Sequence, residues 1–200
     1  MKTNKTTLGL KLPTDPRWVN LAEMDLGEIL TDHAYCEQKA ATTCISLIQS
    51  NYDKKELVEQ LAPIVTEEWG HFRLVLRELD KRGLALGAQR KDEYVNGLFS
   101  NMRKGGSPDQ RLVEKLLVCA LIEARSCERF RLLSLDISDD ALKDFYHDFM
   151  VAEAAHYKMF LELAKLYGSS DQDVMNRWQE ILDFEVKLLD SLEVRGDRMH

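Results

Sequence analysis

The sequence predicts an all-α chain: a four-helix bundle with an additional C-terminal helix, in one domain spanning residues 1–200. Three observations predict it. Pro and Gly are sparse, at 4 and 10 of 200 residues, and apolar residues recur at the helical period through most of the chain. One spacing occurs twice: Glu37 with Glu68-Trp-Gly-His71, and Glu123 with Glu153-Ala-Ala-His156, offset by 85 or 86 residues. Between the two copies lies a long connection, residues 83–107, of the kind that two stacked helical hairpins require.

Residues 1–20 read as an irregular arm, because Pro13 and Pro16 forbid an early helix. Helix one is expected from about Ala22 to Ser50, stopping at Asn51-Tyr-Asp, and helix two from about Lys54 to Arg82, with Gly83 as its C-terminal stop. Pro63 inside helix two predicts a kink or local opening one turn before Glu68. Asp92 to Met102 suits a short helix within the connection. Ser107 as N-cap and Pro108 at the first helical position start helix three, which runs to about Ser134. Helix four is expected from Ser138-Asp-Asp to Gly168, and a fifth from Asp171 to Val194, followed by a frayed tail.

The doubled motif falls on the core stripes of these helices. Leu57, Leu61, Ile64, Glu68, His71, Val75 and Leu79 share one face of helix two; Leu142, Phe145, Phe149, Glu153, His156, Phe160 and Leu163 share one face of helix four. Leu112, Leu116, Cys119, Glu123, Cys127 and Phe130 form the stripe of helix three, and Leu26, Leu30, His33, Glu37, Cys44 and Ile48 that of helix one. Four carboxylates thus stand where apolar side chains belong, which is costly without partners. Residues three apart share a helix face, so each E-x-x-H aims two metal-binding groups the same way. A Glu from each of two helices and a Glu-x-x-His from each of the other two is the donor set of carboxylate-bridged di-iron bundles. The candidate metal ligands are therefore Glu37, Glu68, His71, Glu123, Glu153 and His156, and two divalent cations would balance their four negative charges. A single E-x-x-H would be a weak signal; two, each with a Glu about 30 residues upstream, form a specific one.

The other histidines carry less. His33, one turn before Glu37, reads as a core-edge histidine, with a partner role toward Glu37 as the alternative. Asp144 and His147 fall on the far face of helix four, Asp144 being half a turn round from Glu153, and His200 is terminal and uninformative. Cys36, Cys44, Cys119 and Cys127 include no C-x-x-C, which excludes a zinc ribbon or rubredoxin-type iron site; they read as small buried thiols rather than a disulfide framework. No apolar run is long enough to span a membrane and the first residues lack a signal-peptide pattern, so the expectation is a soluble, cytoplasmic protein without a membrane partner.

The stretch Leu117-Val-Cys-Ala-Leu-Ile-Glu123-Ala-Arg-Ser-Cys-Glu-Arg-Phe130, together with the two E-x-x-H pairs, resembles the tRNA-(2-methylthio-N6-isopentenyl-adenosine) hydroxylase family. The resemblance implies a ferritin-like fold and O2-dependent hydroxylation of the isopentenyl side chain of that adenosine beside the tRNA anticodon. It also implies two iron ions bridged by Glu68 and Glu153, and electrons from a separate reductase or ferredoxin. By position the six named residues take the family's ligand places. Val75 and Phe160 stand where a radical-storing relative would need tyrosine, and Trp69 where a bacterioferritin would carry its haem-ligating Met. The alternative is a bacterioferritin- or rubrerythrin-like ferroxidase or iron-storage protein. With a net charge of −7 the chain is acidic, yet residues 71–131 hold 13 Lys/Arg against 8 Asp/Glu. That segment is the candidate RNA-facing side, with Arg90, Lys91, Arg103 and Lys104 as candidate RNA contacts.

Overall fold

The computed structural model describes residues 8–200. Every regular element among them is α-helical: α1 Trp18–Glu23, α2 Leu26–Ser50, α3 Lys55–Lys81, α4 Glu93–Ser100, α5 Pro108–Asp136, α6 Asp140–Tyr167 and α7 Asp171–Ser191. The described residues form two compact units. One holds residues 20–91 and 195–199, and the other residues 8–19, 92–194 and 200.

The unit of residues 20–91 is built on the α2–α3 hairpin. The expected helix one is divided: α1 ends at Glu23 and α2 starts afresh, because the Asp25 side chain accepts a hydrogen bond from the Glu28 N–H at 3.0 Å. The buried stripe of α2 is Ile29, Leu30, His33, Ala34, Glu37, Ala41, Cys44 and Leu47, while Leu26 and Ile48 lie at its edges. α3 runs unbroken through Pro63 and buries Leu57, Leu61, Glu68, Phe72, Val75 and Leu79. It stops where Gly83 takes a φ of 68°, with Gly83 N–H donating to Asp80 O and Leu84 N–H to Leu79 O, both at 2.9 Å. This pairing closes the helix end on its last carbonyls.

The expected frayed tail is instead docked. Met199 is fully buried, and its N–H donates to Asp32 Oδ2 at 2.7 Å. Arg90 pairs with Glu28 and, at 3.1 Å, with Asp197, tying the connection after α3 to both α2 and the tail. Tail composition alone gave no sign of the buried methionine or of these ion pairs.

The other unit is built on the α5–α6 hairpin, with α4 and α7 beside it. α5 opens on a full capping box: Ser107 Oγ accepts from Gln110 N–H at 3.2 Å and Gln110 Oε1 accepts from Ser107 N–H at 2.8 Å. Replacing Ser107 with Ala removes that reciprocal pair. The variant is expected to lose about 1 kcal/mol, a fall of about 2–4 °C in thermal midpoint for a chain of this size, measured by circular dichroism. α4 lies close against α7: a Cβ at Gly97 would sit 2.6 Å from Leu188 Cδ1, so a larger residue there would make the Leu188 side chain shift. The helix α5 buries residues on every side, Arg125, Glu128 and Arg129 included.

Of the expected arm, residues 1–7 lie outside the described residues, residues 8–17 are irregular, and Trp18 onward is already helical. The arm is held to its unit by Lys11 Nζ, 2.6 Å from Asp183 Oδ1, and by Thr14 Oγ1, which donates to Glu128 Oε2 at 2.6 Å.

Candidate metal centre

In the α2–α3 hairpin, helix periodicity brings Glu37 of α2 to Glu68 and His71 of α3. His71 Nδ1 lies 3.3 Å from Glu37 Oε2 and 3.5 Å from Glu68 Oε2. Ligand atoms of the three residues lie within 4.8 Å of one another, with both carboxylates buried. His33, fully buried, shares a hydrogen bond of 2.8 Å between its Nε2 and Glu37 Oε1. Of the two readings open for His33, the structure shows the partner role, and the i,i+4 spacing on one helix explains it.

The electrostatics follow from that burial. Glu37 is pushed up to about 8, first by burial and then by the neighbouring Glu68 carboxylate, with His71 opposing. For His71 burial pulls downward, but hydrogen bonds to Glu37 and Glu68 outweigh it and raise the imidazole to about 10. Without a cation, then, this cluster retains protons to hold its carboxylates together.

The α5–α6 hairpin repeats the arrangement. Glu123 of α5 and Glu153 and His156 of α6 are all buried, and their ligand atoms lie within 4.8 Å of one another. His156 Nδ1 is 4.0 Å from Glu153 Oε2. Cys119 and Cys127, one turn before and after Glu123, are pushed up to about 12 and about 11, in each case mainly by burial. Both stay protonated near neutral pH, so they line the site as small apolar groups rather than as thiolate ligands. None of the four cysteines is in a disulfide, and Cys36 is only half-buried. His147 is exposed, as the helix geometry requires.

Each hairpin thus presents two buried carboxylates and one imidazole, the hard-oxygen and nitrogen donor mix that suits iron. The charge of those carboxylates is what a pair of divalent cations would offset, so the residues present fit a two-metal site.

The structure also holds a buried charged network that the sequence reading missed. Fully buried Arg125 donates through Nε to Glu185 Oε1 at 2.9 Å, through Nη2 to Leu12 O at 2.9 Å, and through Nη1 to Glu128 and to Thr14 Oγ1. Tyr94 OH donates to the same Glu185 oxygen at 2.7 Å. Arg129 stacks over Trp18, 4.8 Å from the ring centroid, and burial together with Arg125 lowers it to about 10. The available signal was Arg125, Glu128 and Arg129 at i, i+3 and i+4, a second polar stripe inside an otherwise apolar helix. His200 was likewise missed: its ring stacks on Tyr94 at 5.4 Å, with Nε2 2.9 Å from Ser126 Oγ and Nδ1 3.5 Å from Asp92.

The four candidate RNA contacts divide. Arg90 is taken up in the pairs with Glu28 and Asp197, and Arg103 reaches Glu180 at 2.7 Å. Lys91 and Lys104 are exposed. Several cations of segment 71–131 thus serve the fold, Arg125 and Arg129 among them, and its charge balance overstates the basic surface.

Comparison with known proteins extends the reading. A solved structure, protein 43 with aldehyde deformylating oxygenase activity from Synechococcus, is 34% identical, covers 96% of this chain and 94% of its own, and superposes with a TM-score of 0.89. The fold class is therefore ferritin-like and all-α. A tRNA 2-(methylsulfanyl)-N(6)-isopentenyladenosine(37) hydroxylase of Pseudomonas putida is 36% identical over 182 residues, 91% of this chain and 87% of the relative. The hydroxylase of the same name from Salmonella typhimurium is 26% identical over 81% of this chain and 77% of the relative. The model of the tRNA-(MS[2]IO[6]A)-hydroxylase (MiaE) family matches residues 2–200, and the chain belongs to that family.

Proposed function

We propose that the protein is a non-haem di-iron monooxygenase. It hydroxylates the isopentenyl side chain of 2-methylthio-N6-isopentenyl-adenosine in tRNA, using O2 and two electrons from a separate reductase or ferredoxin. The observation that carries this reading is the 36% identity to a curated hydroxylase over 91% of the chain. In support, each hairpin supplies one half of a di-iron donor set. The proposed domain is a single ferritin-like one. Glu37, Glu68, His71, Glu123, Glu153 and His156 hold two iron ions there. Bound iron supplies O2-dependent insertion of one oxygen atom into a C–H bond, the second oxygen leaving as water.

The chain's own residues do the rest. His33 fixes the orientation of Glu37 through its hydrogen bond. Val75 and Phe160, both buried, lie one turn beyond His71 and His156 and offer no oxidisable phenol there. Among the described residues no helix is long and apolar enough to cross a membrane, and the cytoplasm, where tRNA resides, is the proposed location. Storage of iron is not favoured, because the curated relatives that match most of the chain are hydroxylases.

Bulk tRNA from a strain lacking the protein provides the test. Incubated with iron-loaded protein, a reductant and O2, it is expected to yield the hydroxylated nucleoside on digestion. A large iron-filled shell in gel filtration with unchanged tRNA would contradict the reading.

Two further variants address the site. His33→Ala is expected to weaken iron affinity by about 10–100-fold, as loss of an outer hydrogen-bond partner does, read by titration of the metal-free protein. Equal affinity would show that the bond does not orient Glu37. His147→Ala, on the far face of α6, is expected to keep the wild-type iron content, and loss of iron there would overturn the assignment of facing.

A further inference from the structure

The protein's three tryptophans differ sharply in exposure. Trp18 and Trp178 are 1% and 2% exposed, whereas Trp69 is 48% exposed. Trp69 stands between Glu68 and His71 on α3, and its ring rests on Phe72, with centroids 4.9 Å apart and planes 35° from parallel. Phe72 is itself buried, so the indole is braced from within while nearly half of its surface meets solvent.

The next residue is a second anomaly. Gly70 lies in the middle of a 27-residue helix, where glycine is about 1 kcal/mol worse than alanine. Packing does not require it: a Cβ built there meets nothing within 4 Å. A bare backbone beside an exposed aromatic suits close approach by a ligand from outside the chain.

Third, Arg73 and Arg77 follow Trp69 at i+4 and i+8, both exposed. They continue its side of the helix at about 6 Å per step along the axis. Arg82 and Lys81, by contrast, are held by Glu78 at 2.9 and 3.0 Å. Among the described residues neither Arg73 nor Arg77 is taken up in an ion pair.

An exposed indole, a bare patch of backbone and two outward guanidiniums in line are the parts of a single-stranded RNA platform. Bases stack on the aromatic while arginines meet phosphates, and anticodon loops offer unstacked bases. We infer that Trp69, Gly70, Arg73 and Arg77 form the docking strip for the anticodon loop. A base flanking the modified adenosine stacks on Trp69 over Gly70, and its following phosphates lie along Arg73 and Arg77. The inference rests on the proposed function and names where that substrate is held. The strip lies outside the basic candidates Arg90, Lys91, Arg103 and Lys104.

The test uses the full-length iron-loaded protein and an anticodon stem-loop RNA carrying 2-methylthio-N6-isopentenyl-adenosine. Wild-type protein is expected to bind it with quenching of the exposed-tryptophan fluorescence, which Trp69→Phe removes. Trp69→Ala is expected to weaken binding by about 10-fold or more, the loss typical of one base–aromatic stack. Gly70→Leu supplies the arm that folding cannot mimic: its thermal midpoint is expected at or above the wild-type value, yet RNA binding falls by about as much. Arg73→Ala with Arg77→Ala is expected to flatten the slope of log affinity against log salt by about 1.4, for two single-strand phosphate contacts.

Iron content is measured in every variant. If wild type binds and Trp69→Ala, Gly70→Leu and the double-arginine variant all bind as tightly, the strip is overturned while the hydroxylase reading stands. Wild-type protein that neither binds nor hydroxylates the RNA would sink both. Variants that bind RNA normally but turn over only with a chemical reductant would assign the strip to the electron-donor protein instead, which also overturns the inference.

Discussion

Glu68→Ala and Glu153→Ala are each expected to abolish hydroxylation and to weaken iron binding by more than the roughly 100-fold seen for outer-partner losses. Each removes one of the two buried carboxylates of a hairpin, leaving a divalent cation short of both charge and a ligand. A second readout separates metal loss from misfolding. Gln is close to Glu in shape, so Glu68→Gln keeps the packing while removing a carboxylate that both raises Glu37 and pairs with His71. The metal-free Glu68→Gln variant is therefore expected to keep a cooperative thermal transition like that of wild type. Iron at about 100 times its dissociation constant adds about 2.7 kcal/mol to wild type and is expected to add little to the variant.

The sign of the pH dependence also follows. Glu37 and His71 both bind protons more tightly folded than unfolded, at about 8 and about 10 against 4.5 and 6.5. Their contribution to metal-free stability is present at low pH and is lost as pH rises through that window. Iron binding, which must displace those protons, is expected to strengthen with rising pH. Full turnover with undiminished iron in Glu68→Ala or Glu153→Ala would show that the wrong glutamates are named.

Arg125→Met is expected to cost about 3–5 kcal/mol, a fall of about 6–20 °C in thermal midpoint. The guanidinium is fully buried and binds Glu185, Glu128, Thr14 and the Leu12 carbonyl at once. Its removal deprives two buried carboxylates, Glu185 and Glu128, of the guanidinium that pairs with both. Burial itself disfavours the charge, yet Glu185, Tyr94 and Glu128 outweigh it and push the guanidinium upward, so Arg125 stays ionised. A double variant, Arg125→Met with Glu185→Leu, is expected to recover part of the loss. A shift of less than about 2 °C in the single variant, roughly the effect of a neutral surface change, would show that the network is not a fastening.

Periodicity explains how much of this was legible. Glu37, Glu68, His71, Glu123, Glu153 and His156 could be named as candidate ligands because a side chain on a helix has a fixed angular address. Ser107-Pro108, Gly83 and Gly168 could be named as helix ends because each acts on the backbone within one turn. The break between α1 and α2 escaped because Asp25-Leu-Gly-Glu28, a local capping signal, lies inside a stretch with continuing apolar period. Arg125 with Glu185, and Met199 with Asp32, escaped for a different reason. Their partners are 60 and 167 residues apart, and no local rule connects them. Arg90 shows the converse limit: its charge was read as surface, and the structure pairs that part-exposed side chain with Glu28 and Asp197.

The most direct test of the central claim is isotope labelling of the product. Iron-loaded protein, reductant and tRNA bearing 2-methylthio-N6-isopentenyl-adenosine would be mixed under 18O2, and the digested nucleosides examined by mass spectrometry. The account predicts one 18O atom on the isopentenyl side chain, absent with metal-free protein. An unchanged nucleoside from fully iron-loaded, reduced protein, or a hydroxyl oxygen drawn from water, would contradict it.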